Sequence, residues 1–249
     1  MPKALLTPKY SLIIPAYKAG GFIEDSLKTK IEILKKLKAP YEIIIVVDGY
    51  DKPTVKSAHR FKKNRNVKIL IVEKNHGKGY AVRQGFAQAR GEFIAYMDAD
   101  NDINPKVIKE GFLELEKNKL HGVLPSKNHP DSIINYPKSR KLFSRMYNFV
   151  VRNFFKLNIS DSQLGAKFYK RSLIKKVLPK CKINGFAFEV EMIKIASKMG
   201  YNKFSEIPVE VDLRTKSTIS FMNGLIVIFD TLLLMPRLIN VKKDRKKTV

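Results

Sequence analysis

Apolar residues in the first hundred positions fall into four short runs, each closed by proline, glycine or polar residues. The runs cover residues 11–14, 41–47, 67–72 and 92–97. Short apolar runs with many β-branched residues and such boundaries are typical of buried strands. The pattern therefore predicts four buried β-strands.

Between these runs, apolar residues recur at the spacing of a helix. The two predicted helix faces consist of Ile23, Leu27, Ile31 and Leu34, and of Ala81, Gly85, Phe86 and Ala89. Gly91 is expected to cap the carboxyl end of the second helix. Strands that alternate with helices predict an α/β fold with a doubly wound, mostly parallel sheet. Ligands of such sheets bind beyond the carboxyl ends of the strands.

The second half of the chain differs in composition. Residues 139–155 are basic and aromatic, residues 161–167 read DSQLGAK, and residues 186–199 have helical spacing. Pro208 interrupts a short extended stretch, EIPVEV. We find no internal repeat and no low-complexity linker, so a single catalytic domain is expected.

The charge of the chain narrows its partners to anions. Lys and Arg number 48 against 23 Asp and Glu among 249 residues, a formal net charge of +25. Nucleic acid, anionic lipid headgroups and phosphorylated substrates all fit such an excess. Cys181 is the only cysteine, so an intramolecular disulfide is excluded. The first ten residues lack the apolar core of a secretory signal, and synthesis in the cytosol is expected.

Three carboxylates follow the fourth predicted strand directly. Asp98, Asp100 and Asp102 occupy alternate positions, so their side chains can converge on one hard divalent cation, Mg²⁺ or Mn²⁺. A calcium EF-hand is excluded, because Ile103 and Lys109 stand where that loop needs Gly and Glu. A solvated turn of Asp and Asn residues is the remaining alternative.

A glycine-rich segment, NHGKG at residues 75–79, precedes the second predicted helix. Its glycines allow close backbone approach to a phosphate, and Lys78 supplies positive charge. The segment does not match a P-loop, because no Ser or Thr follows Lys78. The sequence is therefore compatible with two interpretations of this segment, a phosphate-binding loop and a purely structural loop.

Together, the order and spacing of these motifs resemble the family-2 glycosyltransferases. The matching segments are PAY at 15–17, DG at 48–49, NHGKGYAVRQG at 75–85, ARG at 89–91, MDAD at 97–100 and DSQLGAK at 161–167. The resemblance is greatest to the dolichyl-phosphate glucose and dolichyl-phosphate mannose synthases. It implies a GT-A fold and transfer of a hexose from a nucleotide diphosphate sugar, UDP-glucose-like or GDP-mannose.

The resemblance also implies roles for individual residues. Asp98 and Asp100 would be catalytic, and Asp100 and Asp102 would bind the metal. The residues implied to bind the nucleotide sugar are Pro15, Ala16, Tyr17, Asp48, Lys78, Arg83 and Asp98. Lys18, Val47 and Tyr50 depart from the family pattern next to these positions. The identity of the nucleotide is therefore left open.

An acceptor site is implied by a second likeness. The mannose synthases carry an R-x-x-x-S-R-x-x-N segment that binds the lipid phosphate, and residues 140–148 match it without a gap. The implied acceptor-phosphate residues are Lys127, Arg140, Ser144 and Arg145. A solvated basic helix face is the alternative. A phosphate acceptor is largely dianionic at neutral pH and needs no general base, and the resemblance implies transfer with inversion to dolichyl or polyprenyl phosphate.

The carboxyl-terminal segment is the most apolar part of the chain. Asp230 and Pro236 interrupt residues 221–239, which disfavours a membrane span. An amphipathic apolar helix lying in an anionic membrane interface, followed by a basic tail, is expected for residues 219–249. A helix packed on the domain or on a dimer partner is the alternative. Residues 1–218 would then form the GT-A domain at the cytoplasmic face of a membrane.

Two other functions fit part of the pattern. A family-2 transferase that acts on a soluble saccharide or protein acceptor would use the metal site but not Arg140, Ser144 and Arg145. A nucleic-acid-binding module would explain the charge but gives no reason for the three carboxylates after a strand. Specific nucleic acid is therefore not expected as a partner.

Overall fold

The computed structural model describes residues 7–135, 147–149, 151–212 and 231. Arg140, Ser144 and Arg145 of the predicted acceptor site lie outside these residues. The predicted carboxyl-terminal helix also lies outside them, except for Thr231.

A seven-stranded sheet forms the centre of the described structure. Its strands are β1 (Tyr10–Ala16), β2 (Tyr41–Asp48), β3 (Val67–Val72), β4 (Phe93–Met97), β5 (Gly122–Pro125), β7 (Ala166–Lys170) and β8 (Phe204–Ile207). They lie side by side in the order β3-β2-β1-β4-β7-β5-β8. Strand β7 runs antiparallel to both of its neighbours, and the other pairings are parallel. A second, two-stranded sheet joins β6 (Ile133–Asn135) to β9 (Glu210–Asp212). The predicted mostly parallel α/β sheet is confirmed.

Helices cover both faces of the large sheet. They are α1 (Ile23–Lys35), α2 (Lys52–His59), α3 (Lys78–Gln88), α4 (Val107–Lys117), α5 (Arg171–Val177) and α6 (Phe188–Lys198), with a 3-10 turn at Leu178–Lys180 and helical residues at 147–149 and 151–155. Helices α1 and α4 contribute to one core, and α3 and α6 contribute to the other. Strand β1 shows the division, because Leu12 and Ile14 enter the first core whereas Ile13 enters the second. In the described parts of the chain, no helix has both the length and the apolar character needed to cross a bilayer.

The predicted faces of the first two long helices are buried as expected. The four apolar residues of α1 lie in one core, and Ala81 and Phe86 of α3 lie in the other. Gly85 faces the sheet so closely that a Cβ would lie 2.7 Å from Cγ1 of Ile13. A larger residue at position 85 would therefore push α3 away from β1.

Two local expectations were wrong. Strand β3 is not a buried strand but the edge of the sheet, where Lys68 and Ile71 are exposed. Gly91 does not cap α3, which ends at Gln88 and is followed by Ala89 in an extended conformation. The amide of Gly91 instead donates to the Ser11 hydroxyl at 2.8 Å, and a Cβ on Gly91 would collide with that hydroxyl.

The carboxyl ends of β1, β2 and β4 meet at one edge of the sheet. Tyr17 follows β1, Asp48 ends β2 and Asp98 follows β4. The antiparallel β7 begins at this same edge, because Met97 pairs with Ala166. Loops from both halves of the chain therefore converge beside Asp98, as expected for the ligand-binding edge of a doubly wound sheet.

Candidate functional site

Two aromatic residues stand open to solvent where β1 and β2 end. Tyr17 is 51% exposed and Tyr50 is 57% exposed, whereas Pro15 and Ala16 remain within β1. Exposed aromatic rings beside a ligand-binding edge offer flat surfaces on which a nucleobase can stack. Tyr50 was not among the predicted binding residues, and its exposure at this edge is the reason to consider it beside Tyr17.

Asp48 is buried and its carboxylate is engaged within the protein. Its oxygens accept hydrogen bonds from the backbone amides of His76, at 3.0 Å, and Gly77, at 2.7 Å. Its backbone carbonyl accepts from the Asn75 side chain at 3.1 Å. The structure thus places Asp48 as the anchor of the NHGKG segment.

The NHGKG segment is a junction between the two halves of the chain. Gly77 has a φ of +105°, and a Cβ there would lie 2.7 Å from the Asn184 carbonyl. The Tyr80 amide donates to that same carbonyl at 3.1 Å. The amides of His76 and Gly77, like that of Tyr80 just after the segment, donate inside the protein, so these three amides are already engaged.

Arg83 continues this junction. Its guanidinium donates to the Cys181 carbonyl at 2.8 Å and to the Asn184 side chain. The carboxylate of Glu191, on α6, accepts from the amides of Lys182 and Ile183, both at 2.9 Å. Residues 181–184 are therefore held against the amino end of α3 from both sides.

Lys78 points into the site and is bound by two carboxylates. Its ammonium lies 2.9 Å from Asp98 Oδ1 and 3.3 Å from Glu189 Oε1, and 5.6 Å from the centre of the Tyr96 ring. Burial acts to lower the pKa of Lys78, but the charges of Asp98 and Glu189 outweigh it and raise the pKa. Lys78 is therefore a firmly charged counter-ion of Asp98.

Glu189 was not predicted as a site residue. It is 2% exposed, and its Oε1 accepts a hydrogen bond of 2.6 Å from the Tyr96 hydroxyl. The signal in the sequence is a pair of carboxylates, Glu189 and Glu191, within the apolar helical stretch FAFEVEMIKIA. A buried carboxylate needs a partner, so the stretch indicates cations nearby.

Asp100 lies at the turn after Asp98 and is half-buried. Burial, together with the neighbouring charges of Asp98 and Asp102, raises the pKa of Asp100 to about 6. Its Oδ1 accepts from the Asp102 amide at 3.2 Å. Negative charge is therefore crowded at this turn, and a cation would relieve the repulsion.

These carboxylates fit a divalent metal that is completed by its substrate. Within the described ranges, three or more His, Cys, Asp or Glu side chains do not converge on one point. Mg²⁺ needs only one or two carboxylates when substrate phosphates and waters supply the other ligands. Asp100 and Asp102 provide the oxygen chemistry that Mg²⁺ or Mn²⁺ requires at such an open site.

A buried lysine on α1, Lys30, donates hydrogen bonds to this turn. The Lys30 ammonium donates to the Asp100 carbonyl at 2.6 Å and to Asn101 Oδ1 at 3.3 Å, and it also bonds the Ser26 hydroxyl. Burial lowers the pKa of Lys30 to about 8, although the charges of Asp100 and Asp98 act against it. Sequence reasoning missed Lys30, because nothing in the helical pattern distinguishes it from a surface lysine.

The part of the predicted acceptor site that the structure describes contains a buried ion pair. Lys127 Nζ lies 2.7 Å from Oδ2 of Asp161, which is fully buried. Burial acts to raise the pKa of Asp161, but the charges of Lys127 and Lys167 lower it overall. Lys127 is therefore held in place by a fixed partner.

Asn148, the last residue of the predicted acceptor segment, is also buried. Its Nδ2 has no hydrogen-bond partner among the described residues. The Tyr147 hydroxyl next to it lies 2.9 Å from Thr231 Oγ1 and accepts from Gln163 at 3.1 Å. An unpaired buried donor is costly, so Asn148 Nδ2 needs an acceptor that the described residues do not supply.

Comparison with known proteins gives a consistent family. The sequence model described as Glycosyl transferase family 2 matches residues 11–178. A dolichyl-phosphate beta-glucosyltransferase of Dictyostelium discoideum is 30% identical over 205 residues, which cover 76% of this chain and 62% of that protein. The Saccharomyces cerevisiae protein of the same name is 28% identical over 264 residues, covering 95% of this chain and 77% of that protein.

A further relative is longer still. Glycosyltransferase AglD of Haloferax volcanii is 26% identical over 203 residues, or 80% of this chain but only 32% of AglD. The chain thus spans less than two thirds of the length of AglD and of the Dictyostelium relative.

Solved structures share the fold. Glucosyl-3-phosphoglycerate synthase of Mycobacterium tuberculosis, crystallised with Mn²⁺, UDP and glucosyl-3-phosphoglycerate, has a TM-score of 0.68 at 15% identity and covers 95% of this chain and 82% of its own. Mannosyl-3-phosphoglycerate synthase of Rubrobacter xylanophilus has a TM-score of 0.70 at 16% identity and covers 97% and 78%. Divalent metal together with UDP therefore occurs on this fold.

Proposed function

The chain belongs to glycosyl transferase family 2, and we propose that it transfers a hexose from a nucleotide diphosphate sugar to dolichyl or another polyprenyl phosphate. The proposed donor is UDP-glucose-like or GDP-mannose. The observation that carries the proposal is the convergence of Asp98, Asp100 and Lys78 at the carboxyl edge of the sheet. The names of the Dictyostelium and Saccharomyces relatives support the lipid-phosphate acceptor.

On the donor side, each residue group has a distinct task. Tyr17 and Tyr50 flank the base at the ends of β1 and β2. Asp98, held by Lys78, faces the sugar. Asp100 and Asp102 would hold Mg²⁺ or Mn²⁺, whose positive charge would neutralise the negative charge of the departing nucleotide diphosphate.

The acceptor itself supplies the nucleophile. A phosphate monoester is largely dianionic at pH 7, so its oxygen attacks the anomeric carbon without a general base. The new C–O bond forms on the face opposite the breaking bond, which inverts the configuration and gives a β-linked product. Lys127, Arg140, Ser144 and Arg145 would bind the phosphate, and Asn148 lies beside them in the sequence.

A lipid acceptor requires access to a membrane. We propose that residues 219–249 lie along an anionic membrane surface on its cytoplasmic side. The net charge of +25 supports this proposal, because basic segments near anionic lipid contribute about 1 kcal/mol per cation.

A donor and acceptor screen tests the proposed function. The full chain is incubated with Mn²⁺, either UDP-glucose or GDP-mannose, and either a short-chain polyprenyl phosphate or a soluble oligosaccharide. Mass spectrometry should detect a hexosyl polyprenyl phosphate with one of the two donors. Transfer to the oligosaccharide without any lipid product would establish the soluble-acceptor alternative instead.

A further inference from the structure

The Asp98 carboxylate belongs to a small group of charged side chains that extends into the protein interior. The group consists of Lys78, Lys167, Glu189 and Asp98 itself, two cations and two carboxylates. Lys167 and Glu189 are buried, and Lys78 is only 13% exposed. Buried charges persist only where each is compensated, so these four side chains constrain one another.

The four residues come from four separate parts of the chain. Lys78 opens α3, Asp98 follows β4, Lys167 lies in β7 and Glu189 in α6. Lys167 Nζ donates to the Leu164 carbonyl at 2.6 Å and lies 3.9 Å from Glu189 Oε2. That oxygen has no hydrogen-bond partner among the described residues. Glu189 therefore interacts with Lys167 by charge, while its other oxygen contacts Tyr96 and Lys78.

Geometry leaves Lys78 little freedom. Its ammonium contacts two carboxylates, those of Asp98 and Glu189, and lies over the Tyr96 ring. Asp98 is 35% exposed and is the member of the group that reaches the ligand-binding edge. Any shift of Lys78 would be transmitted to the Asp98 carboxylate through their 2.9 Å contact.

We infer that Glu189 is a positioning residue that holds Lys78, and through it the Asp98 carboxylate, in the arrangement that receives the sugar of the donor. The inference rests on the proposed donor site and adds a residue to it. Lys78 acts in this arrangement as a fixed counter-ion, whose partner on the far side is Glu189. The carboxylate of Glu189 does not touch the donor.

Glu189→Gln tests the inference, because it keeps the shape of the side chain and an acceptor for the Tyr96 hydroxyl but removes the charge. We expect the affinity for the nucleotide sugar to fall about tenfold or more, the scale of a lost charge-assisted hydrogen bond. The turnover number should fall as well, while the KM for the acceptor stays unchanged. Calorimetric titration with UDP-glucose and with GDP-mannose, each with Mn²⁺, gives the affinity.

Glu191→Gln is the matched control. Glu191 lies two positions along the same helix and is 1% exposed, but its carboxylate bonds the Lys182 and Ile183 amides, whereas Lys78 forms its ion pairs with Asp98 and Glu189. This variant should melt at a lower temperature and retain the donor affinity of the wild type in its folded fraction. Equal donor affinity in Glu189→Gln and Glu191→Gln would overturn the inference.

Two further variants separate positioning from stability. Glu189→Asp keeps the charge and should recover part of the affinity. Lys167→Met combined with Glu189→Gln removes both members of a buried pair and so restores the charge balance of the group. We expect the melting temperature to recover in this double variant, but not the donor affinity, because Lys78 still lacks its ion pair with residue 189. Recovery of affinity together with melting temperature in this double variant would show a structural role only. This comparison also decides the matter if Glu189→Gln does not fold.

Failure of the Glu189 inference can be told apart from failure of the proposed function. A wild-type chain that binds a nucleotide sugar but never transfers to polyprenyl phosphate refutes the proposed acceptor and leaves the Glu189 comparison valid. A wild-type chain that binds neither nucleotide sugar overturns both proposals.

Discussion

Gly165→Ala should disable the site with little change to the fold. The Asp98 amide donates to the Gly165 carbonyl at 2.8 Å, so the two backbones run side by side. A Cβ on residue 165 would stand 1.9 Å from Asp98 Oδ2, whereas ordinary van der Waals contact begins at 3.4 Å. The Asp98 carboxylate would have to move by about 1.5 Å.

The size of the effect follows from what that movement breaks. Displacing the carboxylate lengthens its contact with Lys78, and a hydrogen bond between charged groups contributes about 1.5–3 kcal/mol. A misplacement of about 1 Å in a reacting site typically lowers turnover roughly a hundredfold. Gly165 does not adopt the left-handed conformation, so alanine adds no backbone strain. We therefore expect a large loss of turnover with at most a small fall in melting temperature.

The assay compares turnover, donor affinity and thermal unfolding of Gly165→Ala with those of Gly185→Ala. A Cβ at position 185 meets no atom within 4 Å, so this control should behave as the wild type. Wild-type turnover in Gly165→Ala would refute the reasoning, because it would show that the position of Asp98 has no effect on catalysis.

Four further predictions concern the metal, the acceptor, the membrane and acid stability. Asp100→Asn should fold normally but lose transfer and weaken Mn²⁺ binding, since a neutral amide is a poorer ligand for a hard cation; Mn²⁺ titration followed by electron paramagnetic resonance checks this, and unchanged binding contradicts it. Arg140→Ala should raise the KM for polyprenyl phosphate strongly at unchanged donor affinity, and Arg140→Lys should be only partly active because it lacks the two-pronged guanidinium; parallel acceptor and donor titrations test the pair. Truncation after residue 218 should release the chain from liposomes with anionic headgroups but preserve nucleotide binding, as co-sedimentation would show, whereas unfolding would favour a packed helix. The pKa of Asp161 in the folded protein lies below its ordinary value of 3.8, so its carboxylate stabilises the fold above pH 3.8 and loses this effect as the pH falls below that value. The melting temperature of Asp161→Asn should therefore change less than that of the wild type between pH 5 and roughly pH 3.

Local periodicity was sufficient to predict the frame of the fold. The runs that became β1, β2 and β4 and the buried faces of α1 and α3 follow from neighbours within a few residues. The edge position of β3 did not follow, because strand order depends on pairing between distant segments. Gly91 was misjudged for the same reason, since its need for space comes from Ser11 on another strand.

The arrangement around Asp98 followed from the sequence only in part. Alternating carboxylates after a strand indicated a turn at Asp98 and Asp100, because strand geometry is local, and their roles in catalysis and metal binding stay predictions. The partners of those residues were not predictable, since Lys30 reaches Asp100 and Lys78 reaches Asp98 only after the chain folds, as Glu189 then reaches Lys78. The roles that resemblance assigned to Asp48 and Arg83 remain predictions, and the structure shows both residues engaged within the protein.

The reversed direction of β7 bears on how acceptor preference could be exchanged between enzymes. A parallel strand would deliver the residues that follow it to the ligand-binding edge, but β7 delivers those that precede it, ending in Gly165. The stretch leading into β7 can thus be transplanted from a relative while β1, β2 and β4, which present the donor residues, keep their own pairings. Chimaeras joined at residues 135 and 161 would keep Asp161 as the partner of Lys127 and change only the intervening segment. On the proposed acceptor site, acceptor preference should follow the exchanged segment.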